Sequence, residues 1–168
     1  MIVDFEKLPD HARLWAFASD RELNTDEQTQ IGEFVSEFLG GWAAHGAALT
    51  AGFDLLHNRF LLVGVNQDDT APSGCSIDAM TRFLRQVREQ SGLDFLDAPH
   101  CCYLSEGTVQ AVDRATFRAL AQEGKVDGDT IVFDLTVPTI GDVRAGKFET
   151  AAAGTWYGKA FPLAEPAA

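Results

Sequence analysis

Ser73-Gly74-Cys75-Ser76-Ile77-Asp78 is the stretch in which residue types and spacing best suit chemistry. A turn of small residues runs into an apolar-periodic helix, and the amides at a helix start attract anions and stabilise a thiolate. Gly74 is expected to let the backbone turn closely and Ser76 to cap the helix, which places Cys75 in the first turn. The same turn, through Ser73, Gly74, Ser76 and Asp78, is a candidate holder for a carboxylate or phosphate. The plainer reading makes Cys75 a compact buried hydrophobe beside an ordinary cap. A thiol nucleophile needs a base. His45 is the candidate, with His11 or Asp78 to orient it, although an imidazolium just past a helix also serves as a simple C-terminal charge. These side chains lack a local chelating pattern, so neither a metal nor a cofactor is expected.

A second motif fails on inspection. Gly141-Asp142-Val143-Arg144-Ala145-Gly146-Lys147 satisfies the phosphate-loop spacing, but Phe148 stands where a Ser or Thr must ligate magnesium. Asp142 would also put negative charge inside the loop, so nucleotide hydrolysis is not expected. Trp15, Trp42 and Trp156 read as core or interface anchors, with Trp42 on the apolar stripe of the first helix. Asp68-Asp69 reads as a solvated loop. Cys101-Cys102 is expected to begin a strand with one thiol facing in and one out.

The elements that must position these residues follow from the pattern of apolar residues. Ala12 to Ser19 reads as a strand, and Thr25, with Gln28 three residues on, as the cap of a helix over about Asp26 to Gly41. Leu49 to Leu56 and Phe60 to Val65 suggest an antiparallel hairpin, followed by a helix over about Ile77 to Ser91. Cys101 to Leu104 and Thr108 to Val112 suggest a second hairpin. Asp113 caps a helix that Gly124 ends, with Val112 and Phe117 as a hydrophobic staple. Thr130 to Val137 reads as a last strand, and residues 138–161 carry weak signals. The order matches an α+β, ferredoxin-like βαββαβ core with a C-terminal β-α-β extension, mainly antiparallel with helices on one face. In that topology His11, His45 and Cys75 fall at one end of the sheet, and His57 and His100 at the other.

The length of 168 residues suits one domain over residues 1–168, with Pro162 to Ala168 as a frayed tail. Lys plus Arg number 13 against 25 Asp plus Glu, a net charge of −12, which repels phosphate backbones and anionic lipid headgroups. Nucleic acid and membrane are therefore poor partners. Three cysteines, two of them adjacent, fit reduced thiols in a cytoplasm, and the start MIVDFEKLPDHARLW does not read as a leader.

Trp42-Ala43-Ala44-His45-Gly46, Asn58-Arg59-Phe60-Leu61, Ser73 to Asp78 and Thr130 to Phe133 resemble a family of small uncharacterised bacterial proteins, over about Leu8 to Phe161. Some members carry the label ABC transporter ATPase. The incomplete phosphate loop and the absence of a recognisable signature helix contradict that label here. The resemblance implies a stand-alone bacterial cytosolic protein and no catalytic residues.

Two functions are compatible with these residues. The first is a small binding or protein-interaction domain, with a homodimer as one arrangement and either the exposed sheet or the Trp156-Tyr157 segment as contact surface. The second is a thiol-dependent enzyme acting on a small anionic substrate, with Cys75 as nucleophile and His45 as base.

Overall fold

Alternating apolar residues bring the chain in as β1 (Arg13–Ala18), with Trp15 and Phe17 turned to one face and Leu14 and Ala18 to the other. Helix α1 (Thr25–Gly41) follows, then a small hairpin of β2 (Ala43–Ala44) and β3 (Ala47–Ala48), and then β4 (Thr50–Leu56), β5 (Phe60–Asn66) and α2 (Gly74–Ser91). Next come β6 (Cys101–Ser105), β7 (Thr108–Val112), α3 (Arg114–Gln122), β8 (Ile131–Phe133), α4 (Ile140–Arg144), β9 (Glu149–Ala151) and α5 (Trp156–Ala160). The computed structural model describes residues 1–165, and the last three residues of the expected frayed tail lie outside them. The described chain forms two units: Met1–Ala98 with Pro138–Gly141, and Pro99–Val137 with the chain from Asp142 onward.

The first unit holds a three-stranded antiparallel sheet in the order β1-β5-β4. Leu61, Val63 and Val65 of β5 and Ala51 of β4 share one core with Ile31, Val35 and Leu39 of α1 and with Met80, Leu84 and Val87 of α2. Both helices therefore cover one face. On the other face, Gly64 lets the Leu8 and Ile140 side chains approach so closely that a Cβ would lie 2.5 Å from Ile140. At the β4 edge, Ile2 forms a parallel bridge with Ala51, and a Cβ on Gly52 would lie 2.6 Å from the Val3 carbonyl.

The second unit holds a four-stranded antiparallel sheet in the order β7-β6-β8-β9. Cys101 and Val132 pack with Phe117 and Ala121 of α3 and with Tyr157 of α5. Leu163 joins this core, and the Gly128 amide donates to the Ala164 carbonyl at 3.0 Å.

The protein is thus a mixed α+β structure with mainly antiparallel sheets, but the strand order differs from the ferredoxin-like expectation. Cys101 to Leu104, expected as the fourth strand of the first sheet, lies in β6, which pairs instead with β7 and β8, because the chain from Pro99 builds a core of its own. The open edge of β1 meets residues 138–140: Thr139 bridges Arg13 antiparallel, Leu14 donates to Pro138 at 2.9 Å, and Ile140 donates to Ala12 at 3.0 Å. The expected strand Thr130 to Val137 shrinks to Ile131–Phe133, because the Asp134 carboxylate accepts from the Thr136 amide at 2.9 Å and turns the chain. The weakly patterned residues 138–161 carry α4, β9 and α5, each too short to show a period.

Candidate functional site

The start of α2 is a closed capping box, shifted from the expected position. Ser73 is the cap: its Oγ accepts from the Ser76 amide at 3.2 Å, while the Ser76 hydroxyl accepts from the Ser73 amide at 2.6 Å and donates to the Ser73 carbonyl at 2.8 Å. Ser76 is the third helical residue and is buried, so its hydroxyl serves the box and faces no open surface. Cys75, the second helical residue, is exposed, as are Gly74 and Asp78. Gly74 has no left-handed backbone, and a Cβ there would meet nothing within 4 Å, so the turn does not require glycine.

The Trp42 indole donates to the Ser76 carbonyl at 2.8 Å in a buried hydrogen bond. Trp42 caps the C-terminus of α1 instead of lying on its stripe, and it packs edge-on to Trp15 with centroids 5.9 Å apart. This bond ties the Trp42-to-Gly46 segment to the Ser73-to-Asp78 segment. His45 itself has φ 51° and, with Gly46 at φ 81°, makes the two-residue turn between β2 and β3. It is exposed on that hairpin, four residues past the end of α1. His11 Nε2 meets Asp68 Oδ1 at 2.8 Å on the surface. Among the described residues no hydrogen bond joins Cys75 to His45, His11 or Asp78, and no cluster of three His, Cys, Asp or Glu suits a metal ion.

The other thiols depart from the expected alternation. Cys101 and Cys102 are both fully buried, because β6 is covered on both faces. Burial pushes the Cys101 thiol up to about 11, with the Arg114 charge opposing and the Asp113 charge adding to the shift. The Cys102 amide donates to the Tyr157 hydroxyl at 3.0 Å. That hydroxyl also lies 3.3 Å from the His100 and Phe133 carbonyls, stitching β6 to β8. Burial raises the Tyr157 phenol far above its ordinary value, so it stays protonated and can donate. The sequence offers no signal for this knot beyond an aromatic pair, Trp156-Tyr157.

In the loop that mimics a phosphate-binding motif, Lys147 pairs with Asp142 at 3.3 Å, and Phe148 is buried with its ring 5.8 Å from that of Phe133. Phe148 thus faces a core and not an incoming phosphate.

Among the clefts of the first unit are two that neither Cys75 nor His45 lines. One, of about 590 Å³, runs along the N-terminal residues with Phe53 and Asp54 in its wall. Burial raises the pKa of the Asp54 carboxyl, the Leu55 amide lowers it, and Glu6 raises it further. The other, of about 300 Å³, is a groove between α1 and α2 floored by Phe34, Phe38, Phe83 and Val87 and rimmed by Glu37 and Gln86. Its floor includes the stacked pair Phe38 and Phe83, centroids 4.4 Å apart. Phe38 is only half-buried, although the helical spacing puts it on the inner face; Ile31, Val35 and Leu39 fill that role.

No family model, curated protein or solved structure matches the chain. No helix among the described residues is long and apolar enough to cross a membrane.

Proposed function

We propose that the protein is a non-catalytic interaction domain whose contact surface is the α1–α2 layer of the first unit. The observation that carries this reading is the groove of about 300 Å³, where three half-buried phenylalanines lie open between two long helices. Half-buried aromatic rings with a polar rim are the usual anatomy of a protein contact. The acidic surface and reduced thiols fit a cytoplasmic protein that avoids nucleic acid and membranes. The two tied segments support a place in the bacterial family that they resemble, without its ATPase label: Lys147 is engaged by Asp142, and Phe148 offers magnesium no oxygen. The first unit also supports a split βαβ reading, with residues 138–140 holding the position beside β1 that a fourth ferredoxin-like strand would take.

The thiol-dependent alternative, with Cys75 as nucleophile, His45 as base and a small anionic substrate at the turn, rests on the exposed position of Cys75 in the first turn of an 18-residue helix. Its base has no hydrogen bond to the thiol, which is why the groove ranks above it.

The test is photo-crosslinking in cells with benzoylphenylalanine in place of Gln86 on the groove rim, against the same residue in place of Glu106 on the β6–β7 turn. Discrete protein adducts from position 86, reduced when Phe83 is changed to Asp, are expected. No adduct at position 86, or equal adducts at both positions, would overturn the reading.

A further inference from the structure

We propose that the α1–α2 layer binds a second copy of this chain about a two-fold axis parallel to the two helices; the inference rests on the interaction reading and names its partner. Two contacts set the geometry. Phe38 stacks on Phe83, and Trp42, one turn further along α1, bonds to Ser76, two turns earlier in α2. The helices therefore run antiparallel, with Phe38 and Phe83 at one level.

Glu37 and Arg82 each precede a ring of that stack, so they stand at the same height on different helices. Both are exposed. Their neighbours extend the pattern: Glu33 adds to the acidic row of α1, which contains no Lys or Arg, and Arg85 joins Arg82 in a basic pair on α2 between Asp78 and Glu89. Among the described residues none of these four side chains has an ion-pair partner.

A two-fold axis along the helices carries α1 of one copy over α2 of the other without sliding it lengthwise. Each Glu37 then meets Arg82 of the second copy, twice by symmetry, and Phe38 of each copy closes against Phe83 of the other. Self-complementarity of this kind is what an isologous interface requires. A partner of a single charge sign would be opposed either by the acidic row of α1 or by the arginine pair of α2.

Helices of 17 and 18 residues offer a face of roughly 25 Å by 20 Å, about 1,000 Å² over both copies, at the low end for specific contacts. The dimer is accordingly weak and concentration-dependent. It also forms against the mutual repulsion of two chains at −12 each.

That repulsion gives the test its discriminating sign. Sedimentation equilibrium from about 1 µM to 1 mM should show the parent passing from monomer to dimer, the usual range for small interfaces. Glu37→Arg reduces the net charge from −12 to −10, which by itself favours association. The proposed contact instead sets two arginines against each other, so association should weaken by about tenfold or more. Arg82→Glu should weaken it likewise, and the double variant should recover to within about threefold of the parent. Circular dichroism melts confirm that the variants, both at exposed positions, remain folded. A parent that stays monomeric to 1 mM, a Glu37→Arg chain that associates as well or better, or a double variant that fails to recover overturns the inference. A monomeric parent that still crosslinks a different protein through position 86 overturns only self-association. Loss of both results overturns the interaction reading as well.

Discussion

Cys75 and the Cys101-Cys102 pair show how thiols of one chain receive opposite environments. Cys75 sits in the open at a helix start, while Cys101 and Cys102 are sealed in strand β6. Thiolate attack requires both exposure and deprotonation, and Cys101 fails on each count, its thiol being raised to about 11. Ellman's reagent at pH 7.5 should therefore titrate one thiol in the native protein, none in Cys75→Ser, and three in concentrated guanidinium. Two thiols reacting natively at comparable rates would show that the β6 core opens far more readily than its packing implies. The residue types of this region were legible in the sequence, but not the role of each serine. Ser73-Gly74-Cys75-Ser76 offers two serines three apart, and burial of Ser76 under Trp42 decides which one caps. The Tyr157 knot was not legible, since it joins residues 55 apart in sequence that come together only on folding.

At the scale of elements, the start of α1 repeats that ambiguity. Asn24 with Glu27 and Thr25 with Gln28 both satisfy the capping-box spacing, and Thr25 is the expected cap. The structure uses the first: Asn24 accepts from the Glu27 amide at 2.8 Å, and Glu27 accepts from the Asn24 amide at 3.1 Å. Arg21 decides between them, gripping Glu27 in a fork at 2.8 and 2.6 Å that Gln28 could not receive as a charged pair. The Arg21 hydrogen bonds, then the Asn24 amide, hold the Glu27 carboxyl down at about 2. A carboxyl lowered in the folded state stabilises it above the unfolded value near 4.5, and that contribution fades as pH falls from about 4.5 toward 2. The urea midpoint of the parent should thus exceed that of Glu27→Gln at pH 6, with the gap closing steadily across that window. A gap that is the same at pH 6 and pH 2.5 would mean that the fork does not favour the charged form. Long helices and the β4–β5 hairpin were readable because their periods run over many residues. Elements α4, β9 and α5 span three to five residues each and are held by contacts made elsewhere in the chain.

For the whole molecule, charge is the dominant imbalance, and it is unevenly distributed. Sixteen of the acidic residues but only seven of the basic ones fall in the first unit, which therefore carries nine of the twelve excess negative charges. A compact body with unbalanced like charges is destabilised by self-repulsion, whereas the unfolded chain spreads those charges apart. Salt screens this repulsion over a Debye length of about 30 Å at 0.01 M but only about 4 Å near 0.5 M. Salt also weakens the favourable surface pairs, such as Lys7 with Asp4, Arg88 with Asp97 and Lys125 with Glu123. Exposed pairs of that kind contribute about 0–1 kcal/mol each, so their loss is the smaller effect in a chain with so few cations. The urea midpoint at pH 7 should accordingly be higher in 0.5 M sodium chloride than in 10 mM. Urea is the suitable denaturant because it is uncharged, and chloride is preferable to sulfate, which strengthens apolar burial by itself. The measurement belongs at about 1 µM protein, where a weak self-association contributes little through mass action. A midpoint that falls on adding salt would show that local ion pairs outweigh the net charge, and the picture of a molecule under acidic self-repulsion would have to be given up.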